Sequence, residues 1–407
     1  MRTILKRCRQ RGAILVTFAI SALVLIAFSG LALDVGLMYM TRAALSKGVD
    51  AGALMGVRSL SLGDAQARAV AESTFRMNYA ASRVNAREVE QPTVAVTIAI
   101  APDGNKRITV DARVRTNTYF LGVLRLLPGG GDFTTVSTSS HAQAMRARLV
   151  MGIALDRSGS MASNGGRAAL PGAVEAFVGF FDNAIDRVAL SSYADHATLD
   201  FAMNHNFKTA IGNRVRSMPF SGWTYSHGGI DIVRDQVRNV PLDPNENVLK
   251  VLVFFTDGHA NSFLAPSIRC TGNNFRSLVL VPDSSNDGFH NPASGATVTC
   301  THTQSDRFNS LRTGTNITRS TGNVENEGLF MAERSARLTR QDGTLVFAIG
   351  LGNDINKASL RRIANDPSSS TFNPNEPVGV AAFAPTAGEL TDVFRLIASK
   401  ILLRLTQ

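Results

Sequence analysis

The sequence lacks the motifs of several common enzyme classes. It has no glycine-rich P-loop, so we do not expect it to hydrolyse ATP. Ser158 lies in the run Ser-Gly-Ser and not in a G-x-S-x-G motif, so it does not form a nucleophile elbow. The seven histidines include no pair spaced one helical turn apart, which argues against a zinc cluster. We expect His196, His205, His227 and His259 to be surface or loop residues.

The sequence also lacks a long basic block, although its formal net charge is +10. No RNA- or DNA-binding motif is present, and a solvated basic surface accounts for the scattered arginines. We therefore expect no nucleic-acid partner. Basic residues are concentrated only at the N-terminus, where the first eleven positions hold Arg2, Lys6, Arg7, Arg9 and Arg11 and no acidic residue.

Charge is absent from residues 13–33, a run of 21 residues that follows the basic tail 1–12. As an α-helix this run is about 31 Å long, which matches the hydrocarbon core of a bilayer. The basic tail predicts a cytoplasmic N-terminus, with the rest of the chain across the membrane. A cleaved signal peptide, with Ala27 and Ser29 at the cleavage site, is the alternative. The length of the apolar run favours an uncleaved anchor.

Cysteine is scarce, with three residues in the whole chain. The predicted topology leaves Cys8 in the reducing cytoplasm and puts Cys270 and Cys300 in an oxidising compartment. We predict a disulfide between Cys270 and Cys300. Two buried free thiols are the alternative.

Residues 34–147 have the pattern of a small α+β module. The predicted elements are a continuation of the membrane helix to Leu60, a helix at 64–77, strands at 93–100 and 107–114 around the turn Asp103-Gly104-Asn105, a short helix or strand at 121–127, and a third strand at 134–145.

A pattern of small residues surrounds the apolar run. It consists of Arg11-Gly12-Ala13, Gly30-Leu31-Ala32-Leu33-Asp34-Val35-Gly36, Ala43-Ala44-Leu45 and Asp50-Ala51-Gly52-Ala53-Leu54. This region resembles the N-terminal region of TadG-like Flp (tight adherence) pilus-assembly proteins. Related pseudopilins have a glutamate a few residues after the cleavage-site glycine, but here Thr17 occupies that place after Gly12. The resemblance implies a single-pass protein of the bacterial inner membrane whose anchor is retained and whose bulk is periplasmic.

Predicted strands alternate with predicted helices over residues 148–407. The strands are expected at 149–155, 187–193, 197–203, 247–256 and 344–350, and the helices at 171–181, 207–218, 230–240, 325–340, 357–365 and 387–403. This alternation predicts an α/β domain with a doubly wound, mainly parallel, Rossmann-like sheet covered on both faces.

The alternation breaks between residues 259 and 324, where Gly, Asn, Ser, Thr and Pro dominate. We expect a structureless insertion there, which is uncommon inside a domain unless it has a function or is disordered. It is either a variable surface loop or a segment that shapes partner specificity.

Oxygen-bearing side chains follow two of the predicted buried strands. Asp156-Arg157-Ser158-Gly159-Ser160 comes directly after the apolar run 149–155, and Asp257 follows the strand that ends at Thr256. Thr224 lies in a third segment, Gly222-Trp223-Thr224-Tyr225-Ser226. Ligands of open α/β sheets bind at the carboxyl ends of the strands, and hard divalent cations prefer oxygen ligands. The alternative is a strand-to-helix turn in which Asp156 or Ser158 caps the next helix.

The order and spacing of these three loops resemble the von Willebrand factor A domain with its metal-ion-dependent adhesion site. The resemblance covers roughly 148–399. It implies that the hydroxyls of Ser158, Ser160 and Thr224 bind a divalent ion, and that Asp156 and Asp257 act directly or through water. Mg²⁺ is the expected ion, with Mn²⁺ and Ca²⁺ as alternatives. An ion with few charged ligands still attracts a carboxylate from a protein partner.

Trp223 departs from the family pattern, which has a small residue at this place. Simple packing is one interpretation, and an aromatic anchor for a protein partner is the other. The two resemblances together imply a non-enzymatic, membrane-anchored, divalent-metal-dependent binding protein of Flp pilus assembly or adhesion. The alternatives are a structural pseudopilin-like subunit with a metal-independent A domain and, as a third class, a metal-dependent hydrolase.

Overall fold

The computed structural model describes residues 2–82, 88–101, 105–126, 131–242, 246, 248–266, 268, 278–280, 289–298 and 307–405. The chain divides into two compact units. Unit 1 comprises Met1–Ile100 and Lys106–Met145, and unit 2 comprises Ala101–Asn105 and Arg146–Gln407.

Unit 1 is built on one long helix, α1 (Arg2–Arg58), which contains the predicted membrane run and its predicted continuation. Its portion Ile14–Arg58 is long and apolar enough to cross a membrane. The large apolar side chains between Ile14 and Leu33 are exposed, whereas Leu45, Val49 and other residues further along are buried. The other elements of unit 1 are α2 (Asp64–Ser82), β1 (Thr93–Ile100), β2 (Lys106–Asn117), β3 (Thr135–Arg146) and two 3₁₀ helices, Leu60–Leu62 and Leu121–Leu126.

The strands of unit 1 form a sheet in the order β1-β2-β3, with β1 antiparallel to β2. Strand β2 alternates between exposed and buried side chains, as expected for a sheet with one covered face. Its buried residues pack with α1 and α2 in one core that includes Leu45, Val49 and Phe75. The predicted helices and strands of this module are confirmed, and the described part of the 121–127 segment, Leu121–Leu126, adopts the helical alternative.

Unit 2 alternates strands and helices along most of its length. Its main elements are β4 (Arg148–Asp156), α3 (Gly159–Ser163), α4 (Gly166–Gly179), β5 (Arg187–Tyr193), β6 (Ala197–Asn204), α5 (Phe207–Arg216), α6 (Ser226–Arg238) and β7 (Val248–Thr256). After β7 the described residues form six short strands, β8 (Phe263–Ala265), β9 (Leu278–Leu280), β10 (Phe289–His290), β11 (Thr297–Val298), β12 (Arg307–Asn309) and β13 (Asn316–Thr318). The unit ends with α7 (Thr321–Gln341), β14 (Leu345–Leu351), α8 (Lys357–Ala364), β15 (Ala381–Ala384), a 3₁₀ turn at Ala387–Glu389 and α9 (Leu390–Leu405).

The main sheet of unit 2 has the strand order β15-β14-β7-β4-β5-β6. The five strands β15, β14, β7, β4 and β5 are parallel to one another, and β6 runs antiparallel to β5 at one edge. The predicted doubly wound, mainly parallel sheet is therefore confirmed. Strand β15, which the sequence pattern did not reveal, extends the opposite edge.

Both faces of this sheet are covered, because alternate residues of β4 join two different cores. Leu149, Met151, Ile153 and Leu155 pack with α4, α5 and α9, while Ala154 packs on the other side with α6, α7 and α8. Gly152 lets α6 approach closely, since a Cβ there would lie 2.7 Å from Cβ of Val233. Burial on both faces explains why β4 is a continuous apolar run in the sequence.

The expectation of a structureless insertion at 259–324 is wrong for its described part. Strands β8 to β11 form one small antiparallel sheet and β12 pairs with β13. Phe263, Phe289 and Phe308 belong to a separate apolar cluster that also includes Val324 of α7. Strands of two or three residues are too short to produce a recognisable alternation. Cys270 and Cys300 lie outside the described residues, so their disulfide stays a prediction.

Candidate metal centre

The two predicted aspartates lie at the centre of the main sheet, at the ends of neighbouring strands. Strands β4 and β7 are parallel and in register up to the pair Leu155↔Phe255. Asp156 ends β4, and Asp257 follows the last residue of β7. Chain order reverses between these strands, since β5 lies on one side of β4 and β7 on the other. Such a switch point is where open α/β sheets bind their ligands.

The carboxylate of Asp156 is fully buried and accepts hydrogen bonds from two neighbouring groups. Its Oδ1 accepts the backbone N–H of Ser158 at 2.8 Å, and its Oδ2 accepts the hydroxyl of Thr256 at 2.7 Å. Ser158 precedes α3, but its side chain makes no capping hydrogen bond to that helix. A simple capping role therefore does not account for the Ser158 hydroxyl.

A chain of hydrogen bonds connects the two serines to the second aspartate. The hydroxyls of Ser158 and Ser160 are 3.0 Å apart, and the Ser160 hydroxyl donates to Oδ1 of Asp257 at 2.7 Å. The other oxygen of Asp257 accepts from the side-chain amide of Asn164 at 3.0 Å. The structure thus brings together Asp156, Ser158, Ser160 and Asp257 as one group of oxygen atoms.

Thr224 lies in a loop that backbone hydrogen bonds fasten to the Ser158 loop. Gly159 N–H donates to the carbonyl of Gly222, and Ser221 N–H donates to the carbonyl of Arg157, both at 3.0 Å. Thr224 itself is buried, and its N–H donates to Oδ1 of Asn261 at 2.7 Å. This places the predicted threonine loop against the loop that carries the two serines.

Trp223 is half-buried, and its backbone is held by Asp195. Oδ1 of Asp195 accepts the N–H of Trp223 at 2.7 Å. The preceding residue, Gly222, has a φ of 89°, and a Cβ there would lie 2.5 Å from the same oxygen. Glycine is therefore required at 222 for both its conformation and its contact with Asp195.

Burial and, second, the nearby charge of Asp257 together raise the pKa of Asp156 to about 7, against hydrogen bonds from Ser158 and Thr256 that lower it. Burial also raises the pKa of the Asp257 carboxyl, against hydrogen bonds from Ser160 and Asn164 that lower it. Two acidic groups that burial makes reluctant to ionise, beside two hydroxyls, form a donor set that suits a hard divalent cation. The residues at this place fit such an ion.

His227 departs from the sequence expectation for the histidines. The expectation that His227 is a surface or loop residue is wrong, because it is buried in the first turn of α6. Its Nε2 accepts the N–H of Leu264 at 3.0 Å, which explains how a polar ring is tolerated there. Among the described residues, no three His, Cys, Asp or Glu side chains gather in a group that could hold a metal ion. The candidate site contains two such side chains, Asp156 and Asp257, and its other oxygens belong to hydroxyl groups. It is therefore a different type of site from a His, Cys, Asp and Glu cluster.

Sequence reasoning missed four residues that position this centre: Thr256, Asn164, Asp195 and Asn261. Thr256 adjoins Asp257 in the motif Thr-Asp-Gly, and this adjacency was the one feature of the sequence that could have identified any of the four. The other three act across tertiary contacts of 28 to 93 residues in sequence, which no local pattern reveals.

Two family models match parts of the chain. Residues 151–259 match the family model of the von Willebrand factor type A domain. Unit 2 carries a von Willebrand factor type A domain. Residues 12–71 match a second family, described as Flp pilus-assembly TadE/G-like. The A domain thus follows a Tad-like N-terminal segment, as the two resemblances implied. No curated protein matches the chain as a relative.

Several solved structures share a distant likeness with the chain. The von Willebrand factor domain of the type V pili tip protein Mfa5 from Porphyromonas gingivalis is 15% identical with a TM-score of 0.41, over 64% of this chain and 97% of that one. The PilB minor pilin from Streptococcus sanguinis, solved as a mutant, is 13% identical with a TM-score of 0.40, over 79% and 80%. Proximal thread matrix protein 1 from the mussel byssus, with a zinc-occupied MIDAS motif, is 16% identical with a TM-score of 0.37. The match covers 63% of the present chain, and the chain spans 46% of the mussel protein's length.

Proposed function

We propose that this protein is a membrane-anchored component of Flp-type pilus assembly or adhesion that binds a protein partner through a divalent metal ion. The observation that carries the proposal is the oxygen group at the switch point of the A domain. Ser158, Ser160 and Asp257 are hydrogen-bonded in a row, with the buried Asp156 on the adjacent strand. The Tad-like match over 12–71 supports the pilus pathway.

The ion would be held by the hydroxyls of Ser158, Ser160 and Thr224, with Asp156 and Asp257 as direct or water-mediated ligands. Bound there, a divalent cation would supply positive charge at the carboxyl ends of the central strands. Mg²⁺ is our first choice, because the donors are few and are all hard oxygens. Mn²⁺ and Ca²⁺ accept the same donor chemistry.

The protein partner would contribute a carboxylate to the ion. The A domain offers two further surfaces beside that point. One is the loop of Trp223, whose backbone Asp195 holds in place. The other is the insertion that begins at 259, because Asn261 already contacts the Thr224 loop. We propose that Trp223 and this insertion decide which partner is accepted.

The apolar part of α1 would be the membrane anchor. Its large side chains between Ile14 and Leu33 are exposed, which is unfavourable in water and suits lipid. The basic residues of 1–12 favour a cytoplasmic N-terminus and a periplasmic A domain in the inner membrane. A reporter enzyme that functions only in the periplasm should be active when it is fused after Gln407. Activity of a cytoplasm-only reporter at that position contradicts the topology, and a mature protein that begins near Gly30 contradicts the anchor.

The function is tested in the native bacterium with the full chain. Asp257→Asn should abolish pilus-dependent adhesion and metal-dependent co-purification of envelope proteins, while the amount of anchored protein is unchanged. Asp235→Asn is the matched control, because Asp235 is an exposed residue of α6 that pairs with Arg238. A chelator should reproduce the effect of Asp257→Asn on the wild-type complex.

Two results would replace this proposal. Normal pili and normal co-purification with Asp257→Asn favour a pseudopilin-like subunit whose A domain is a metal-independent scaffold. Turnover of phosphoesters that Asp257→Asn removes favours a metal-dependent hydrolase.

A further inference from the structure

Asp34 is a buried acidic residue at the end of the uncharged run of α1. It is 2% exposed although the residues around it on the helix are mostly exposed. Its Oδ1 accepts the N–H of Tyr119 at 2.7 Å, and its Oδ2 accepts those of Phe120 and Leu121 at 2.8 and 2.7 Å. One carboxylate thus fastens three consecutive backbone amides to α1. Charge-assisted bonds of this kind are among the stronger ones in proteins.

The segment that Asp34 holds also contacts α1 one turn earlier, at Gly30. A Cβ at Gly30 would lie 2.4 Å from Cγ of Phe120, so the ring occupies space that only glycine leaves open. Gly30 belongs to the uncharged run 13–33. The Phe120 ring therefore lies at the level of the last turn of that run, and not beyond it.

Apolar side chains around this contact are exposed. Tyr119 is 48% exposed, Phe120 39% and Val123 57%. Phe133 is also exposed and lies on the return path of the chain, where its carbonyl accepts the hydroxyl of Thr118 at 2.7 Å. We call Tyr119, Phe120, Val123 and Phe133 the aromatic foot. Phe120 packs on α1 at Gly30, so the foot adjoins the exposed apolar side chains of that helix. Two exposed charged residues, Arg125 and Asp132, lie beside the foot in the chain, and charged groups suit the headgroup side of this boundary.

We propose that the aromatic foot enters the lipid interface beside the point where α1 leaves the bilayer, and that Asp34 positions it there. The proposal rests on the membrane anchoring proposed above. If residues 13–33 span the hydrocarbon core, a ring packed on Gly30 has to lie at the boundary between acyl chains and headgroups. Tyr119 is favourable at that depth, because its apolar ring leaves water while its hydroxyl stays hydrated. The rings of Phe120 and Phe133 have no polar atom and gain by leaving water.

Tryptophan fluorescence can measure the depth of the foot in the full chain. The protein has one tryptophan, so a Trp223→Phe background is free of other indole signals. Three probes are added singly to that background and reconstituted in nanodiscs with brominated lipids. Tyr119→Trp reports on the foot and keeps the backbone N–H that Asp34 accepts. Leu23→Trp reports on the middle of the apolar run, where Leu23 is exposed.

The third probe, Leu62→Trp, is the control outside the bilayer. Leu62 is exposed and follows the end of α1 at Arg58, about 36 Å along the helix axis from Asp34. We expect bromines near the headgroups to quench the Tyr119 probe and bromines deep in the acyl chains to quench the Leu23 probe. The Leu62 probe should resist both lipids and emit at a longer wavelength than the Tyr119 probe.

The outcomes distinguish a failure of the proposed membrane anchor from a failure of the aromatic foot to enter lipid. If the Leu23 probe is quenched and the Tyr119 probe is not, the anchor stands and the foot does not enter lipid. If neither is quenched, the anchor fails and the foot fails with it. A short-wavelength Tyr119 emission that needs two protein copies per disc would mean that the foot docks on a second copy, which also overturns the proposal.

The positioning role of Asp34 has its own test. Asp34→Asn removes the charge that holds three amides and should reduce quenching of the Tyr119 probe to nearer the Leu62 level. Asp50→Asn is the matched control, because Asp50 is an exposed residue further along the same helix. Equal quenching in Asp34→Asn and Asp50→Asn would show that Asp34 does not position the foot.

Discussion

The hydroxyl of Ser160 donates a 2.7 Å hydrogen bond to Oδ1 of Asp257, which lies 97 residues further along the chain. This bond joins the loop after β4 to the loop after β7. Both oxygens are among those expected to face the metal ion. In the proposed metal-bound state the Ser160 oxygen would give its lone pairs to the ion, so the same residues serve both states of the centre.

Asp257→Asn should weaken Mg²⁺ and Mn²⁺ binding by at least about tenfold, because it removes a negative charge that the ion needs. The fold should survive, since the amide retains an oxygen that can accept from Ser160. Calorimetry on the full chain in nanodiscs measures the affinity, with Asp235→Asn as control. Equal affinity in wild type and Asp257→Asn, or no binding by either at millimolar concentration, contradicts the adhesion-site assignment.

The stability of the metal-free protein should fall as pH rises from about 4 to 7. The pKa of Asp156 is near 4 in an unfolded chain and about 7 in the fold. The folded state therefore holds a proton that the unfolded state has lost, and this stabilisation disappears as pH rises through 7. Relative to Asp156→Asn, which cannot ionise, wild type should lose up to roughly 4 kcal/mol over this range.

Denaturant unfolding in a chelator, followed by Trp223 fluorescence, reports this change in unit 2. Adding Mg²⁺ at pH 8 should restore the stability of wild type much more than that of Asp156→Asn. If the free energies of unfolding of wild type and Asp156→Asn change with pH in the same way, Asp156 does not hold the extra proton.

Gly222→Ala should destabilise unit 2 by about 1–3 kcal/mol, because a Cβ at a positive φ is strained and would meet Asp195. Mg²⁺ affinity should fall as well, since this loop carries Thr224. Gly172→Ala is the control. A Cβ at Gly172 would meet nothing within 4 Å, and that helical position should gain about 0.4–1 kcal/mol. The unfolding transition should shift to lower denaturant concentration in Gly222→Ala and to higher concentration in Gly172→Ala. A shift of Gly222→Ala to higher concentration contradicts the prediction.

Trp223→Ala should weaken binding of the protein partner and leave Mg²⁺ affinity nearly unchanged. Trp223 is half-buried, whereas the hydrogen bond to Asp195 comes from its backbone and survives the substitution. Trp223→Phe should have a smaller effect, because it keeps an aromatic ring. Parallel loss of metal and partner binding in Trp223→Ala would mean that the ring packs the loop and does not contact the partner.

Cys270 and Cys300 should be joined by a disulfide in protein purified from the envelope. A bridge across about 30 residues contributes roughly 3–4 kcal/mol in the chain-entropy model. Mass mapping under non-reducing conditions tests the bond directly. Recovery of two freely alkylated thiols would contradict the bond and favour the alternative of two free cysteines.

The main sheet and its aspartates could be predicted because buried parallel strands leave a clear sequence pattern. The run Leu149–Leu155 is apolar at every position except Gly152, and the polar residue that follows it has to lie at the strand end. Once β4 and β7 are recognised as neighbours, the proximity of Asp156 and Asp257 follows.

The supporting contacts of the centre could not be predicted, because they depend on tertiary geometry. Nothing near Asp195 in the sequence indicates that it holds the backbone of Trp223. The partners of Asp34, 85 to 87 residues away, are equally hidden. His227 was misplaced because a buried imidazole needs a specific partner, and Leu264 N–H supplies it from a strand too short to recognise.

The parallel register of β4 and β7 would have a mechanical consequence if the proposed metal site holds a protein partner. Tension applied at Asp156 or Asp257 along its strand pulls on a ladder that extends from Arg148↔Val248 to Leu155↔Phe255. The ladder bonds lie across that direction, so the pull loads them together in shear and does not open them one after another. A grip at this end of the sheet therefore distributes force over the whole length of both central strands.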